Sequence, residues 1–110
     1  ALVNAGKCSV AIGDSAAADR YFRRALQLRP NDPQAAYNLA LLSYRGQRLA
    51  DARVLMRIVM QQTTPAPEAL FLGMCVEQKL GDAQAEQSYA LQLRNRYPDS
   101  AETKAIGPCP

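Results

Sequence analysis

The sequence predicts an all-α fold, a solenoid of about three helix–turn–helix repeats followed by one short helix. Corresponding small, aromatic and proline positions recur about every 34 residues. Apolar residues recur at intervals of three and four, and stop and start signals separate the helices. No stretch alternates polar and apolar residues over five positions, so we expect no sheet.

Small and aromatic residues mark the repeat. One period takes Gly6 to Ala40 and Phe22 to Met56. Gly73 fits the third repeat only if one residue is dropped, so we expect a shorter first segment or a longer second helix there. The pattern predicts a single domain with repeats at 1–30, 31–64 and 65–98 and a final helix and tail at 99–110.

Capping signals divide each repeat into two helices. Asp32 is the expected N-cap of a helix that begins at Pro33, and the segment 64–67 starts the third repeat in the same way. Asp99 and Glu102 predict a capping box for the short final helix. Each turn inside a repeat contains a glycine that we expect in the left-handed conformation: Gly13, Gly46 and Gly81.

Composition excludes several classes of function. Histidine is absent and no glycine-rich phosphate loop is present, so we expect no catalysis, no cofactor and no metal site. The net charge is +3, the arginines are dispersed and tryptophan is absent, which argues against nucleic acid as a partner. No apolar run approaches 18 residues, and no leader precedes Ala1, so neither a membrane span nor a signal peptide is expected.

The 34-residue spacing and the order glycine or alanine, alanine, aromatic, alanine, proline resemble the tetratricopeptide repeat family over nearly the whole chain. The resemblance implies a right-handed superhelix whose first helices line a concave, peptide-binding face. For Tyr37 and Leu41, packing against a neighbouring repeat is the alternative. On this resemblance the candidate partner-binding residues are Lys7, Val10, Gln34, Tyr37, Leu41, Tyr44, Arg45, Leu70, Met74 and Glu77, with Val3 and Gln78 beside them.

Chaperone-binding members of that family hold a terminal carboxylate with Lys, Asn and Arg. Asn38 matches the asparagine. In the first helix of the third repeat, however, Pro67 and Phe71 occupy the positions where the family has basic side chains. Without those donors the charge-assisted hydrogen bonds are lost, so we expect no carboxylate clamp.

The last third of the chain carries a narrower resemblance, to the type IV pilus biogenesis lipoproteins of Gram-negative bacteria known as the PilF/PilW family. It rests on the segments 69–73 and 88–100, above all on the run Leu91-Gln92-Leu93-Arg94-Asn95-Arg96-Tyr97-Pro98-Asp99-Ser100. The resemblance implies the C-terminal half of a longer protein that lies on the periplasmic face of the outer membrane. Its lipid anchor would lie outside this chain, since Cys8 falls within a helix and follows no lipobox. Its role would be non-catalytic, in assembly of the pilus secretin or stability of the pilus.

Periplasmic residence bears on the three cysteines. Cys8 and Cys75 lie two repeats apart, beyond the ~7 Å limit between bridged Cα atoms. Cys109 follows the final helix, where a bridge to Cys75, a bridge to Cys8 and three free thiols are all open alternatives.

Three hypotheses follow for function. The first is an interaction scaffold of pilus biogenesis. The second is an adaptor or co-chaperone with the same fold and another partner peptide, and the third is a subunit that docks an absent catalytic domain. Apolar Val3, Val10 and Phe22 near the first repeat's end also predict a homodimer.

Overall fold

The computed structural model describes residues 2–110, and this part of the chain contains helices and no strand. Ala1, the first residue of the predicted repeat 1–30, lies outside the described residues. No helix within 2–110 is both long and apolar enough to cross a bilayer. The seven helices are α1 Leu2–Ala11, α2 Ser15–Leu28, α3 Pro33–Arg45, α4 Leu49–Val59, α5 Pro67–Leu80, α6 Ala83–Arg96 and α7 Ala101–Lys104.

The chain divides into two compact units, of which the first ends at Gln62 and the second runs from Thr63 to Pro110. The first unit holds the helix pairs α1–α2 and α3–α4, and the second holds the pair α5–α6 with α7. The predicted repeat boundaries after Pro30 and Thr64 fall in the connections between these pairs.

The core of the first unit forms where α2 meets α3. Ala18 and Phe22 of α2 pack with Leu39 and Leu42 of α3, and all four are buried. Phe22 lies so close to α1 that a Cβ on Gly6 would collide with its ring. Phe22 is therefore wholly enclosed, and the expectation that it offers apolar surface to a second copy is wrong.

Partly buried side chains complete this core from three helices. Val3 and Val10 come from α1, Leu26 from α2 and Leu55 from α4. Val10 was expected on a partner-binding face, but in the structure it also packs against the core.

The second unit repeats the same close approach. A Cβ on Gly73 would lie 2.6 Å from Cε1 of Tyr89, so α6 packs against α5 at a position without a side chain. Gly73 precedes Gly81 by eight residues, whereas Gly6 precedes Gly13 by seven. The shorter first segment expected here is wrong, because α5 has 14 residues against 13 in α3. The second helix, α6, has 14 residues, longer than α4 with 11 and equal to α2.

The predicted helix starts after proline-containing connections are confirmed. The Asp32 carboxylate accepts hydrogen bonds from the backbone N–H groups of Gln34, at 3.0 Å, and Ala35, at 3.4 Å. Pro33 is the first residue of α3, where its missing N–H leaves no intrahelical bond unmade. Pro67 opens α5 in the same way, although Ala66 provides no side-chain cap.

The turns agree with the sequence at two of three glycines. Gly13 and Gly81 both adopt φ +82°. Gly46 instead has φ −83°, and Gln47 takes the positive φ of 59° in that turn. The expectation for Gly46 is wrong, since the chain places its left-handed residue one position later.

The short final helix begins one residue later than expected. Ser100, not Asp99, is its N-cap, and the Ser100 hydroxyl accepts a hydrogen bond from the Thr103 N–H at 3.1 Å. The predicted capping box of Asp99 and Glu102 is therefore wrong, and α7 spans only four residues.

These turn conformations give a test by substitution to alanine. We expect Gly81→Ala to lower the free energy of unfolding by about 1 kcal/mol, because a Cβ disfavours the left-handed region. Gly46→Ala is the matched control and should leave stability unchanged, since its φ is ordinary and its nearest neighbours lie 3.4 Å away. Urea unfolding followed by circular dichroism measures both. Equal losses in the two variants would contradict the assignment of the left-handed residue to Gln47.

Candidate partner-binding site

Five of the predicted binding residues lie on α3. Gln34, Tyr37, Leu41 and Tyr44 follow one another at intervals of three or four residues, which places them in a row along the helix, and Arg45 lies four positions after Leu41. Gln34 and Arg45 at the two ends are exposed, and the three side chains between them are half-buried. The other faces of α3 are buried at Ala35, Ala36, Leu39, Ala40, Leu42 and Ser43. We call this row the α3 stripe, composed of Gln34, Tyr37, Leu41, Tyr44 and Arg45.

The α3 stripe is amphipathic but carries charge only at one end. Burial raises the pKa of the Tyr44 phenol above its ordinary value, so this side chain is neutral near pH 7. Leu41 lies between the two tyrosines and extends the apolar surface. A partner that covers this row would bury two large rings and one aliphatic side chain while leaving Arg45 at the edge.

The predicted residues of α1 separate into two environments. Lys7 is exposed, whereas Val10 is half-buried against the core. Val10 also lines a cleft of about 330 Å³, to which α3 contributes Arg45, so the structure brings these two predicted residues together. The lining residues are Val10, Ser15, Leu42, Arg45, Gly46 and Arg48.

Sequence reasoning missed Ser15 and Arg48 of this cleft. Arg45 and Arg48 stand on the two sides of the Gly46–Gln47 turn, and that spacing was the available signal. The lining of the cleft therefore combines two cationic residues, Arg45 and Arg48, with the apolar residues Val10 and Leu42.

The predicted residues of α5 do not form an open surface. Leu70 is 0% exposed, Met74 1% and Glu77 6%. Every residue from Leu72 to Glu77 is buried, so this helix is enclosed on all of its faces over that stretch. A partner cannot contact these three side chains in this structure. Gln78, the other residue predicted on α5, is half-buried.

One face of α5 is covered by residues 105–110, which we call the closing segment. A disulfide joins Cys75 to Cys109 with their Cα atoms 5.6 Å apart, while Cys8 is free and exposed. The Gln78 carboxamide bonds to Gly107 and Cys109, and Lys79 Nζ donates to the Cys109 carbonyl at 3.2 Å. Among residues 2–110, no cluster of Cys, Asp and Glu side chains is arranged to hold a metal ion.

The Tyr-Pro-Asp-Ser run stabilises the second unit. The Tyr97 hydroxyl donates to the Pro65 carbonyl at 2.7 Å, which fixes the connection that leads into α5. Ser100 caps α7, and the Thr103 hydroxyl lies 2.6 Å from the Tyr97 carbonyl. This motif therefore holds both ends of the second unit to α6.

Comparison with known proteins agrees with this repeated helix-pair geometry. Residues 1–32 match the family model described as "Tetratricopeptide repeat". Human Tetratricopeptide repeat protein 8 is 31% identical over 103 residues, which cover 94% of this chain and 19% of that protein. The chain carries a tetratricopeptide repeat.

Within tetratricopeptide repeat proteins, the chain is homologous to two that serve type IV pili. Type IV pilus assembly protein PilF of Pseudomonas aeruginosa is 31% identical over 99 residues, or 90% of this chain. The solved structure of P. aeruginosa PilF matches 94% of this chain with a TM-score of 0.85 and 30% identity. That of PilW, a type IV pilus biogenesis factor, matches 96% with a TM-score of 0.82 and 29% identity. The predicted all-α solenoid class is confirmed.

The match covers only part of each relative. The chain spans 39% of the length of PilF, and 46% and 48% of the two solved chains.

The disulfide predicts a redox-dependent stability. The bridge closes a separation of 34 residues, so reduction should lower the free energy of unfolding by about 3 kcal/mol. Urea unfolding with and without a reducing agent measures the loss. Cys8→Ser should behave like the parent chain, because Cys8 is unbridged. In a Cys75→Ala/Cys109→Ala variant, the reducing agent should not change the free energy of unfolding. If it also leaves the parent chain's free energy of unfolding unchanged, the prediction is contradicted.

Proposed function

We propose that this tetratricopeptide repeat chain is a non-catalytic protein-binding scaffold of type IV pilus biogenesis. The observation that carries the proposal is the structural match to PilF and PilW over at least 94% of the chain. Tetratricopeptide repeats act by protein–protein binding, and the α3 stripe supplies the aromatic surface that such binding uses.

We place the chain at the periplasmic face of the outer membrane, where its partner is the pilus secretin or another pilus component. The Cys75–Cys109 disulfide supports this location, since disulfides persist in the periplasm and are rare in the cytosol. The lipid anchor belongs to a part of the protein outside this chain. Assembly of the secretin or stability of the pilus is the process that the scaffold assists.

The α3 stripe is the proposed partner-binding face. Tyr37, Leu41 and Tyr44 are half-buried, so their rings and methyl groups are already ordered on one side while the other side stays open. Burial of that remaining apolar area stabilises a complex by about 25 cal/mol per Å² before the costs of association. Arg45 at the end of this surface and Lys7 of α1 are both exposed and would favour acidic groups on the partner.

A second candidate is an adaptor that binds an unrelated partner peptide. Its support is the human Tetratricopeptide repeat protein 8, which matches this sequence with the same 31% identity as PilF. The structural matches favour the pilus role, because both proteins of known structure named above are pilus proteins.

A homodimer remains a weaker part of the proposal. With Phe22 enclosed, the apolar surface expected for it reduces to the half-buried Val3 and Val10. Light scattering that shows only a 12.0 kDa species would remove the homodimer from the proposal.

The proposed function predicts which envelope proteins the chain retains. The purified chain is immobilised and exposed to a detergent-solubilised Gram-negative envelope, and retained proteins are identified by mass spectrometry. We expect a pilus protein to be retained, and at least tenfold less of it with Tyr37→Ala/Leu41→Ala/Tyr44→Ala, because loss of aromatic anchors costs more than about 1 kcal/mol each.

The matched control replaces three exposed side chains on the second helices of the pairs, as Tyr21→Ala/Val54→Ala/Leu91→Ala. Both triple variants must show the circular dichroism spectrum of the parent. Equal retention by both would place the binding surface outside the α3 stripe. Retention of no pilus protein by the parent chain would contradict the pilus role.

A further inference from the structure

The closing segment is held on α5 through its backbone. Cys75, Gln78 and Lys79 lie at positions i, i+3 and i+4 of α5, so they share one face of the helix. Cys75 holds the segment covalently, and the other two residues bind its main-chain groups.

The Gln78 carboxamide engages two backbone groups of the segment at once. Its Nε2 donates to the Gly107 carbonyl at 2.8 Å, and its Oε1 accepts from the Cys109 N–H at 2.8 Å. The second Nε2 hydrogen goes to Glu86 Oε2 at 2.9 Å, which fixes the orientation of the amide. Lys79 adds a third backbone contact, to the Cys109 carbonyl at 3.2 Å.

We propose that this face of α5, formed by Gln78 and Lys79 and oriented by Glu86, is a recognition site for an extended glycine–proline peptide. The closing segment occupies the site while the disulfide is closed. Contacts to main-chain carbonyl and N–H groups do not depend on the identity of the peptide's side chains, so the same face accepts a segment of another protein. The proposal stands apart from the pilus role, because its reference ligand is a piece of this chain.

The conformation of the occupant defines which peptides fit. Gly107 adopts φ +154°, a region that side-chain-bearing residues rarely enter. Pro108 and Pro110 restrict the backbone on either side of Cys109 and keep the segment from forming a helix. A partner peptide therefore needs the order glycine, proline, any residue, in which the N–H of the third residue donates to Gln78 Oε1.

The disulfide decides whether a partner can compete. A tethered segment faces its site at an effective concentration in the millimolar range, above that of a free peptide. A dithiol opens the bridge by two thiol–disulfide exchanges, which leave Cys75 and Cys109 as thiols and oxidise the dithiol to its own disulfide. With the bridge open, an external peptide competes with a segment that is no longer held covalently.

The test measures recognition of the segment as a separate molecule. The 110-residue chain with Cys109→Ser is equilibrated in a glutathione buffer with the synthetic peptide Ala-Ile-Gly-Pro-Cys-Pro, which has the sequence of residues 105–110. A second peptide with alanine in place of glycine is the matched control. Mass spectrometry of the digested protein gives the mixed disulfide formed at Cys75 and at Cys8, which is free and exposed and so reports labelling without recognition.

We expect the glycine peptide to label Cys75 about tenfold more than the alanine peptide, while both label Cys8 equally. In a Gln78→Glu chain, which keeps the side-chain size but lacks the Nε2 donor, this preference should disappear. Equal labelling of Cys75 by both peptides, or none by either, would overturn the proposal. A preference that persists in Gln78→Glu would also overturn it, because the discrimination would then not come from the carboxamide. Circular dichroism confirms folding of each variant, and the ratio between peptides is unaffected by competition from the tethered segment.

Discussion

The two glycine-containing helix pairs depend on one close approach, in which an aromatic ring lies against a backbone position that has no side chain. Phe22 occupies this place over Gly6, and Tyr89 occupies it over Gly73. Protein interiors are close-packed, so a ring this near the first helix leaves no room for a methyl group. In the middle pair the corresponding residues are Ala40 and Met56, both buried, which combine a small methyl with a flexible thioether. In each of the three helix pairs the two residues are 16 positions apart, so the same register recurs.

This contact also explains how much of the fold the sequence predicts. Asp32 and Pro33 specify a helix start through short-range hydrogen bonding and a fixed φ, and such signals can be read locally. The third repeat departs because one residue more lies between Gly73 and Gly81, within α5, and one residue fewer follows before Tyr89. Periodicity compares repeats at a constant spacing and cannot place such an insertion. The left-handed conformation of Gln47 was also not predictable, because glycine adopts positive φ more readily and Gly46 lies next to it.

The candidate site also contains one part that nearby sequence predicts and another that depends on a contact between distant residues. The α3 stripe follows from the tetratricopeptide repeat resemblance combined with helical spacing, and its residues are exposed or half-buried as a surface row requires. On α5 the same spacing selected Leu70, Met74 and Glu77, which are buried. What covers the adjoining face at Cys75 is a segment 34 residues further along the chain. Three pairing states of the cysteines were compatible with the sequence, because no local pattern specifies a contact at that separation.

In the proposed role of the α3 stripe, half-burial would lower the entropic cost of binding a partner. Tyr37, Leu41 and Tyr44 are partly held by the first unit, so a partner orders fewer torsions than it would on a fully exposed surface. Tyrosine has only two such torsions for a large contact area, and its neutral phenol is not a buried charge. The charged groups, Lys7 and Arg45, are exposed and remain solvated in the free chain. Aromatic contacts would therefore supply most of the affinity, and the cations at the edge would act mainly on the rate and orientation of encounter.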